Sequence, residues 1–298
     1  MSEPSRPRRT IRPEILMAVV LALLAIIAFS PSLFGPFLWD DAYLIQNNPS
    51  LHSLSAWPKW FSGDFLDSTS ERLGVAQSMR YYRPLVSALY AIEYQLSGSK
   101  PLLFHLDNLL LHAGVTILAF FALRRWSGST MAAGLAAAFF ALHPTKAENV
   151  AWISGRTDVL CALFMLAACA GVALRMRGIR HGFVLEIIAT LCAYLSKEMA
   201  VVLPAFVVIE IWAAKGRPAF KWAELKPVIW GALPHVGVAL LYLLARSRWL
   251  PLRPQDAALR RNWGVSYTFE PGSTFKLVAA TAVMNEGLLD LTDRVDCG

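Results

Sequence analysis

Seven apolar runs, separated by segments that carry the charges, constrain this chain more than any other feature. They lie at about 14–34, 103–123, 129–143, 157–174, 182–196, 199–213 and 227–246. About 20 apolar residues is the length at which a helix crosses a bilayer, and lipid leaves the backbone no partner but itself. Residues are 56% hydrophobic and only 16% charged, against about a quarter charged in soluble domains. The expected class is therefore an all-α polytopic membrane protein with about seven transmembrane helices. Two runs are short for a bilayer. The stretch 182–213 is too long for one span and is expected to turn at Ser196-Lys197-Glu198.

A net charge of +7 would suit nucleic acid, but the basic residues fall between apolar runs rather than along one stripe. Nucleic-acid binding is not expected. Membrane topology explains the pattern instead. With Arg6, Arg8 and Arg9 in the cytoplasm, alternation places Arg124 and Arg125, then Arg175, Arg177 and Arg180, then Lys215, Arg217 and Lys221 on that same side, as the positive-inside rule asks. A cleavable signal peptide is the alternative for 14–34. The stretch is nearly of spanning length and no small-x-small cleavage site follows, which favours an anchor. Cys161, Cys169 and Cys192 lie within apolar runs and Cys297 stands alone, so neither a disulfide framework nor a metal site is expected.

The opposite face receives an outer loop over 39–100, the segment 143–158, the turn 196–198 and everything after 247. The outer loop is rich in aromatic residues (Trp57, Trp60, Phe61, Phe65, Tyr81, Tyr82) and is expected to lie at headgroup depth as amphipathic helices. On this face Asp40, Asp41, Arg83, His105, Asp107, His143, Lys146, Glu148, Arg156, Asp158, Lys197 and Glu198 accumulate. Charges beside membrane spans are costly and call for a partner or a function. A mixed acidic, basic and imidazole set suits chemistry on an anionic lipid-linked substrate, with a carboxylate as general base and Arg or Lys on a phosphate. The alternative is that the same charges form interfacial ion pairs that fix the loops.

Ordered motifs sharpen this. Trp39-Asp40-Asp41 with Asn47, Tyr82-Arg83-Pro84-Leu85, Phe104-His105-Leu106 with Asn108 and His112, and Leu142-His143-Pro144 with Glu148 come first. Val150-Ala151-Trp152-Ile153-Ser154-Gly155-Arg156 with Asp158, Leu195-Ser196-Lys197-Glu198 and Leu203-Pro204 follow. Residues 14–246 thereby resemble the membrane half of the transmembrane, tetratricopeptide-repeat-containing O-mannosyltransferases and their bacterial relatives. The resemblance implies a GT-C type fold and inverting transfer of a sugar from a polyprenyl-phosphate donor to an acceptor protein or glycan. It implies no required metal or cofactor, and a multi-pass protein of the inner (plasma) membrane whose active face is extracytoplasmic. Asp40 would be the base and Asp41 an acceptor-orienting partner, or the reverse. Arg83, Arg156 and Lys197 would hold the donor phosphate, with His105, His143, Glu148, Asp158 and Glu198 around them. That family continues with further spans and helical repeats, which this sequence lacks.

After about Pro254 the character changes. Arg261-Asn262-Trp263-Gly264-Val265 and Phe269-Glu270-Pro271-Gly272-Ser273-Thr274-Phe275-Lys276 resemble the active-site segment of penicillin-binding protein transpeptidases. In an SxxK pair one helical turn sets the Lys276 amine beside the Ser273 hydroxyl. An ordinary helix start, with Ser273 at its N-cap, would look the same. The expected organisation is a cytoplasmic tail (1–13), a GT-C-like region (14–246), a junction (247–260) and a transpeptidase-like fragment (261–298), a chimera of two incomplete families. No SxN or KTG motif follows, so acyl transfer by the fragment alone is not expected.

Overall fold

The computed structural model describes residues 12–63, 65, 81–216 and 221–249. The chain divides into two units, Met1–Pro251 and Leu252–Gly298, and all described residues belong to the first. Ser273 and Lys276 lie outside them.

Every regular element among the described residues is helical. The first is α1 (Pro13–Phe29), extended by a 3-10 turn over Ser30–Phe34. After a π-helical turn (Ala42–Gln46) and two 3-10 turns come α2 (Trp57–Ser62) and α3 (Pro84–Ser97). Then follow α4 (Pro101–Ser127), α5 (Thr130–Leu142), the single-turn α6 (Lys146–Val150) and α7 (Arg156–Met176). Last come α8 (His181–Ser196), α9 (Leu203–Ala214), α10 (Trp222–Gly231) and α11 (Leu233–Trp249). The boundaries follow local chemistry. Proline occupies the first turn of α1, α3, α4 and α9, where its missing N–H costs nothing. Gly128 ends α4 with φ 73°, the left-handed conformation that residues bearing a Cβ avoid. The Ser129 hydroxyl accepts from Ala132 N to cap α5.

Four helical stretches are long and apolar enough to cross a membrane: Pro13–Phe34, Pro101–Ser127, Ile153–Met176 and Leu225–Arg248. They coincide with four of the seven expected runs. The rest are shorter. At 1.5 Å per residue, α5 and α8 reach about 20 and 24 Å, less than a hydrocarbon core of about 30 Å. The expected turn after Ser196 is present: α8 ends there, Lys197 is extended, and a 3-10 turn (Glu198–Val202) leads into α9. The run 227–246 falls across two helices that meet at Ala232. Side chains such as Leu24 (40% exposed), Leu135 (67%), Phe139 (71%) and Leu241 (67%) present apolar surface outward, as a fold solvated by lipid requires. Across its described residues the chain is an all-α membrane protein.

Helix α7 and helix α8 pack against each other most closely. A Cβ on Gly171 would lie 2.6 Å from Glu186 N, and one on Gly182 2.4 Å from Arg175 N. Small residues let membrane helices approach to this distance. Arg175 and His235 both hydrogen-bond Glu186, at 2.6 and 2.8 Å, and the Thr190 hydroxyl lies 2.8 Å from His235 Nδ1. Glu186, Thr190 and His235 are buried, so this polar knot ties α7, α8 and α11 together.

The outer loop departs from the expected surface-lying helices. Leu44, Ile45, Leu51, Trp60, Phe65, Val86 and Tyr90 bury themselves against Phe104, Ile153 and Leu160. Tyr82 is 4% exposed and its hydroxyl donates to Phe61 O at 3.0 Å. The described part of the loop is a cap with its own core. Its rings find apolar partners in the protein, and Trp57, at 58%, is left exposed.

Candidate active site

Two membrane-length helices place the mixed charges at one end. Helix α4 begins near His105, Asp107 and Asn108 and ends at Arg124 and Arg125; α7 begins at Arg156 and Asp158 and ends beside Arg175 and Arg177. From His105 to Arg125 is about 30 Å along α4. Arg156, Asp158 and Lys197 therefore meet the Asp41 turn at one end, and an arginine-rich end lies at the other.

Asp40 and Asp41 diverge. Asp40 is exposed, whereas Asp41 is fully buried. Asp41 Oδ2 accepts from Leu38 N at 3.0 Å and its Oδ1 from Ser154 N at 2.9 Å. The Ser154 hydroxyl donates to the same Oδ1. Burial raises the Asp41 pKa, opposed by these hydrogen bonds, which favour the ionised form. Just before the pair, Trp39 adopts φ 46°, a conformation that costs a residue with a Cβ about 1–3 kcal/mol. Its ring meets Trp152 edge-on, with centroids 5.7 Å apart. Loop 150–155 thus holds both Trp39 and Asp41 and sets where Asp40 stands.

That loop is itself clamped. Asn108 Nδ2 lies 3.3, 3.1 and 3.4 Å from the carbonyls of Val150, Trp152 and Ile153. The Tyr90 hydroxyl donates to Ile153 O at 3.0 Å. Gly155 passes so near α6 that a Cβ would sit 2.3 Å from Glu148 O. Below the loop, Arg156 has no exposed surface. It donates to Asn108 Oδ1 and Phe104 O, both at 2.6 Å, and to Glu93. Asp107 is 3.4 Å away and the Tyr90 ring centroid 4.8 Å. One guanidinium thus faces two carboxylates, and burial pushes Glu93 up to about 8 against the pull of Arg156. A buried carboxylate that keeps its proton leaves this cluster without net negative charge.

One turn beyond Ser154, Asp158 accepts from Lys197 Nζ at 2.6 Å, and these side chains are 42% and 22% exposed. Adjacent Glu198 pairs with Arg83 at 3.1 Å, 27% and 13% exposed. Arg83 also lies over the Tyr81 ring, 4.4 Å from its centroid. Arg83 Nε and Glu198 Oε1 are buried without a hydrogen-bond partner among the described residues. Three pairs therefore stand at this end, Asp41–Ser154, Asp158–Lys197 and Glu198–Arg83, with Ser154 and Asp158 one helical turn apart and Lys197 and Glu198 adjacent in the chain. His105 is buried, with Nε2 3.2 Å from Gly35 O, and steadies the chain before Trp39. His143, half-buried, bonds its neighbour Thr145 at 2.8 Å, and Lys146 lies 4.7 Å from the Phe140 ring centroid. Glu148 is half-buried on α6. Among the described residues no three His, Cys, Asp or Glu side chains group as metal ligands.

Sequence reasoning passed over Glu93 and did not assign Asn108 and Ser154 a place in the site. The available signal was a demand for pairing: Glu93 is a lone charge in a largely apolar helix and needs a cation, which Arg156 supplies.

Against this geometry, protein O-mannosyl-transferase TMTC4 of Homo sapiens is 36% identical over 176 residues, 54% of this chain and 23% of that protein. TMTC1 of Mus musculus is 31% identical over 198 residues, 62% and 21%. F38B6.6 of Caenorhabditis elegans is 31% identical over 200 residues, 65% and 28%. The chain's relatives are protein O-mannosyl-transferases. It spans about a quarter of the length of these curated relatives. A family model, the penicillin binding protein transpeptidase domain, matches residues 245–298, so both resemblances seen in the sequence are present. No solved structure matches.

Proposed function

We propose that this chain is a glycosyltransferase of GT-C type that moves a mannosyl residue from a polyprenyl-phosphate donor to a hydroxyl of an acceptor protein. The supporting observation is the divided carboxylate pair: Asp41 locked into loop 150–155, and Asp40 exposed beside it at the end where Lys197 and Arg83 gather. The relatives' names supply the mannosyl group and the protein acceptor; the polyprenyl-phosphate donor is what the family resemblance implies, and cationic groups beside a membrane support an anionic lipid-linked one. Asp40 takes the proton of the acceptor hydroxyl as its oxygen attacks the anomeric carbon. The bond from that carbon to the phosphate oxygen breaks, and polyprenyl phosphate leaves with the electron pair. Attack opposite the leaving group inverts the sugar carbon and needs no metal.

Lys197 and Arg83 are the donor-phosphate residues in this reading. Each is partly exposed and paired with a carboxylate that a phosphate would displace or share. Arg156, fully engaged by Glu93, Asn108 and the Phe104 carbonyl, acts by holding the loop. The arginine-rich end faces the cytoplasm and the mixed end the extracytoplasmic side of a plasma membrane; shorter α5, α8 and α9 complete seven crossings with the four long stretches.

The test is transfer from radiolabelled polyprenyl-phosphate mannose to a Ser/Thr peptide by membranes containing the chain. Transfer with inversion, and a raised donor KM in Lys197→Ala, is expected; no transfer where a full-length relative is active would overturn the reading. A second activity concerns residues 245–298. They match a transpeptidase model and hold the Ser273 and Lys276 pair; this stretch by itself is not expected to be acylated, and stable labelling of Ser273 by a fluorescent β-lactam would refute that.

A further inference from the structure

The arginine-rich end carries a cleft that the glycosyl-transfer site does not use. Two adjoining cavities, of about 380 and 440 Å³, share Arg124, Arg125, Ala173 and Arg177 as common walls. The first runs from the start of α1, with Arg12 and Glu14, between the last turns of α4 and α7. The second continues from there to the end of α9 at Glu210 and Ala214.

The charges in this cleft are unequal in availability. Glu210 is saturated: Arg125 donates to one oxygen at 2.6 Å and Trp126 Nε1 to the other at 2.7 Å. Arg124 bonds Thr130 at 3.0 Å and approaches Glu14 at 3.8 Å. The side chains of Arg12 and Arg177 have no ion pair or hydrogen bond among the described residues, and both are exposed. Four guanidiniums thus face two carboxylates, and the two unengaged cations, Arg12 from the start of α1 and Arg177 from the end of α7, both line one cavity. A guanidinium's fork of donors matches phosphate oxygens.

Depth decides the source of that phosphate. Arg125 lies about 30 Å along α4 from His105, one hydrocarbon thickness, so the cleft stands at headgroup level when the mixed-charge end stands at the other surface. Below the arginines the wall turns apolar, with Ile15, Leu118, Phe121 and Leu174. A free anion would gain nothing from that wall, whereas an acyl chain would lie along it. We propose that this cleft binds an anionic phospholipid, its headgroup phosphate between Arg12 and Arg177 and one acyl chain against the apolar wall.

Native mass spectrometry of the detergent-purified full chain tests this with phosphatidylglycerol, phosphatidylcholine and inorganic phosphate as probes. Arg12→Ala/Arg177→Ala is the informative variant, because neither side chain bonds another described residue. Wild type should retain phosphatidylglycerol in preference to phosphatidylcholine. The double variant should lose about 25-fold in that retention, taking about 1 kcal/mol for each cation near a membrane surface, with an unchanged melting temperature. Inorganic phosphate at millimolar concentration should not displace the lipid. Equal retention of the two lipids, unchanged retention in the variant, or displacement by inorganic phosphate would each overturn the proposal. The measurement does not pass through sugar transfer, so its failure and the failure of the proposed activity are separable.

Discussion

The two ends of the long helices use charge in opposite ways. At the mixed end, groups far apart in sequence interlock: Asp41 with Ser154, Arg156 with Glu93, Lys197 with Asp158, Arg83 with Glu198. At the arginine end, two guanidiniums lean on carboxylates and two stand open in a cleft. Interlocked charge fixes positions to fractions of an ångström, which bond-making needs. Open charge holds an anion but orients nothing finely. On the proposed function, the contrast separates an end suited to chemistry from one suited to a lipid headgroup.

The comparison breaks first at Arg156. Removing it as Arg156→Met leaves Glu93 buried, and Asp107 partly buried, beside no cation and should cost about 3 kcal/mol. Arg177→Ala at the other end should cost nothing measurable. Thermal unfolding of the two variants in detergent checks the difference, and equal losses would mean that the buried cluster is not what holds loop 150–155. Next in size is Asn108→Ala, which strips the clamp from three carbonyls and from Arg156 Nε. The expected loss is about 2–3 kcal/mol of stability, with transfer activity falling further than stability does.

Glu93 supplies a subtler test. Its pKa in the folded protein, about 8, lies above its unfolded value of about 4.3. The folded state therefore binds the extra proton between these values, and stability declines as pH rises through this interval. Melting temperature should fall from pH 5 toward pH 9, and Glu93→Gln, which keeps the neutral shape, should flatten that slope. An unchanged slope would place the titrating group elsewhere. Within the mixed end the smallest effect on stability is that of Lys197→Ala, whose pair with Asp158 is partly exposed and worth about 1 kcal/mol or less. Its donor KM should nonetheless rise severalfold, since a phosphate ligand matters to substrate more than to the fold.

The sequence made the long helices legible because lipid imposes one length and one composition on any spanning segment. Pro13–Phe34, Pro101–Ser127 and Ile153–Met176 were visible for that reason. The short helices were less so: α5, α8 and α9 are apolar enough to read as spans, yet helix length depends on where Ser129 caps and where Lys197 extends the chain. Asp40 and Asp41 stood out as adjacent carboxylates beside a span. Which of them is buried was illegible, because the answer lies in Ser154, 113 residues away. Glu93 and His235 were missed for the same cause. Each is a polar group in an apolar helix whose partner, Arg156 or Glu186, comes from a distant segment.

The most direct measurement is the single-turnover rate of mannosyl transfer at saturating polyprenyl-phosphate mannose for wild type, Asp40→Asn and Arg177→Ala. Loss of the exposed carboxylate should lower that rate by about 10²–10⁴-fold, with melting temperature and donor binding held, while Arg177→Ala keeps the wild-type rate. Transfer by Asp40→Asn at the wild-type rate would contradict the account, because the mixed-charge end would then lack the base on which the reaction depends.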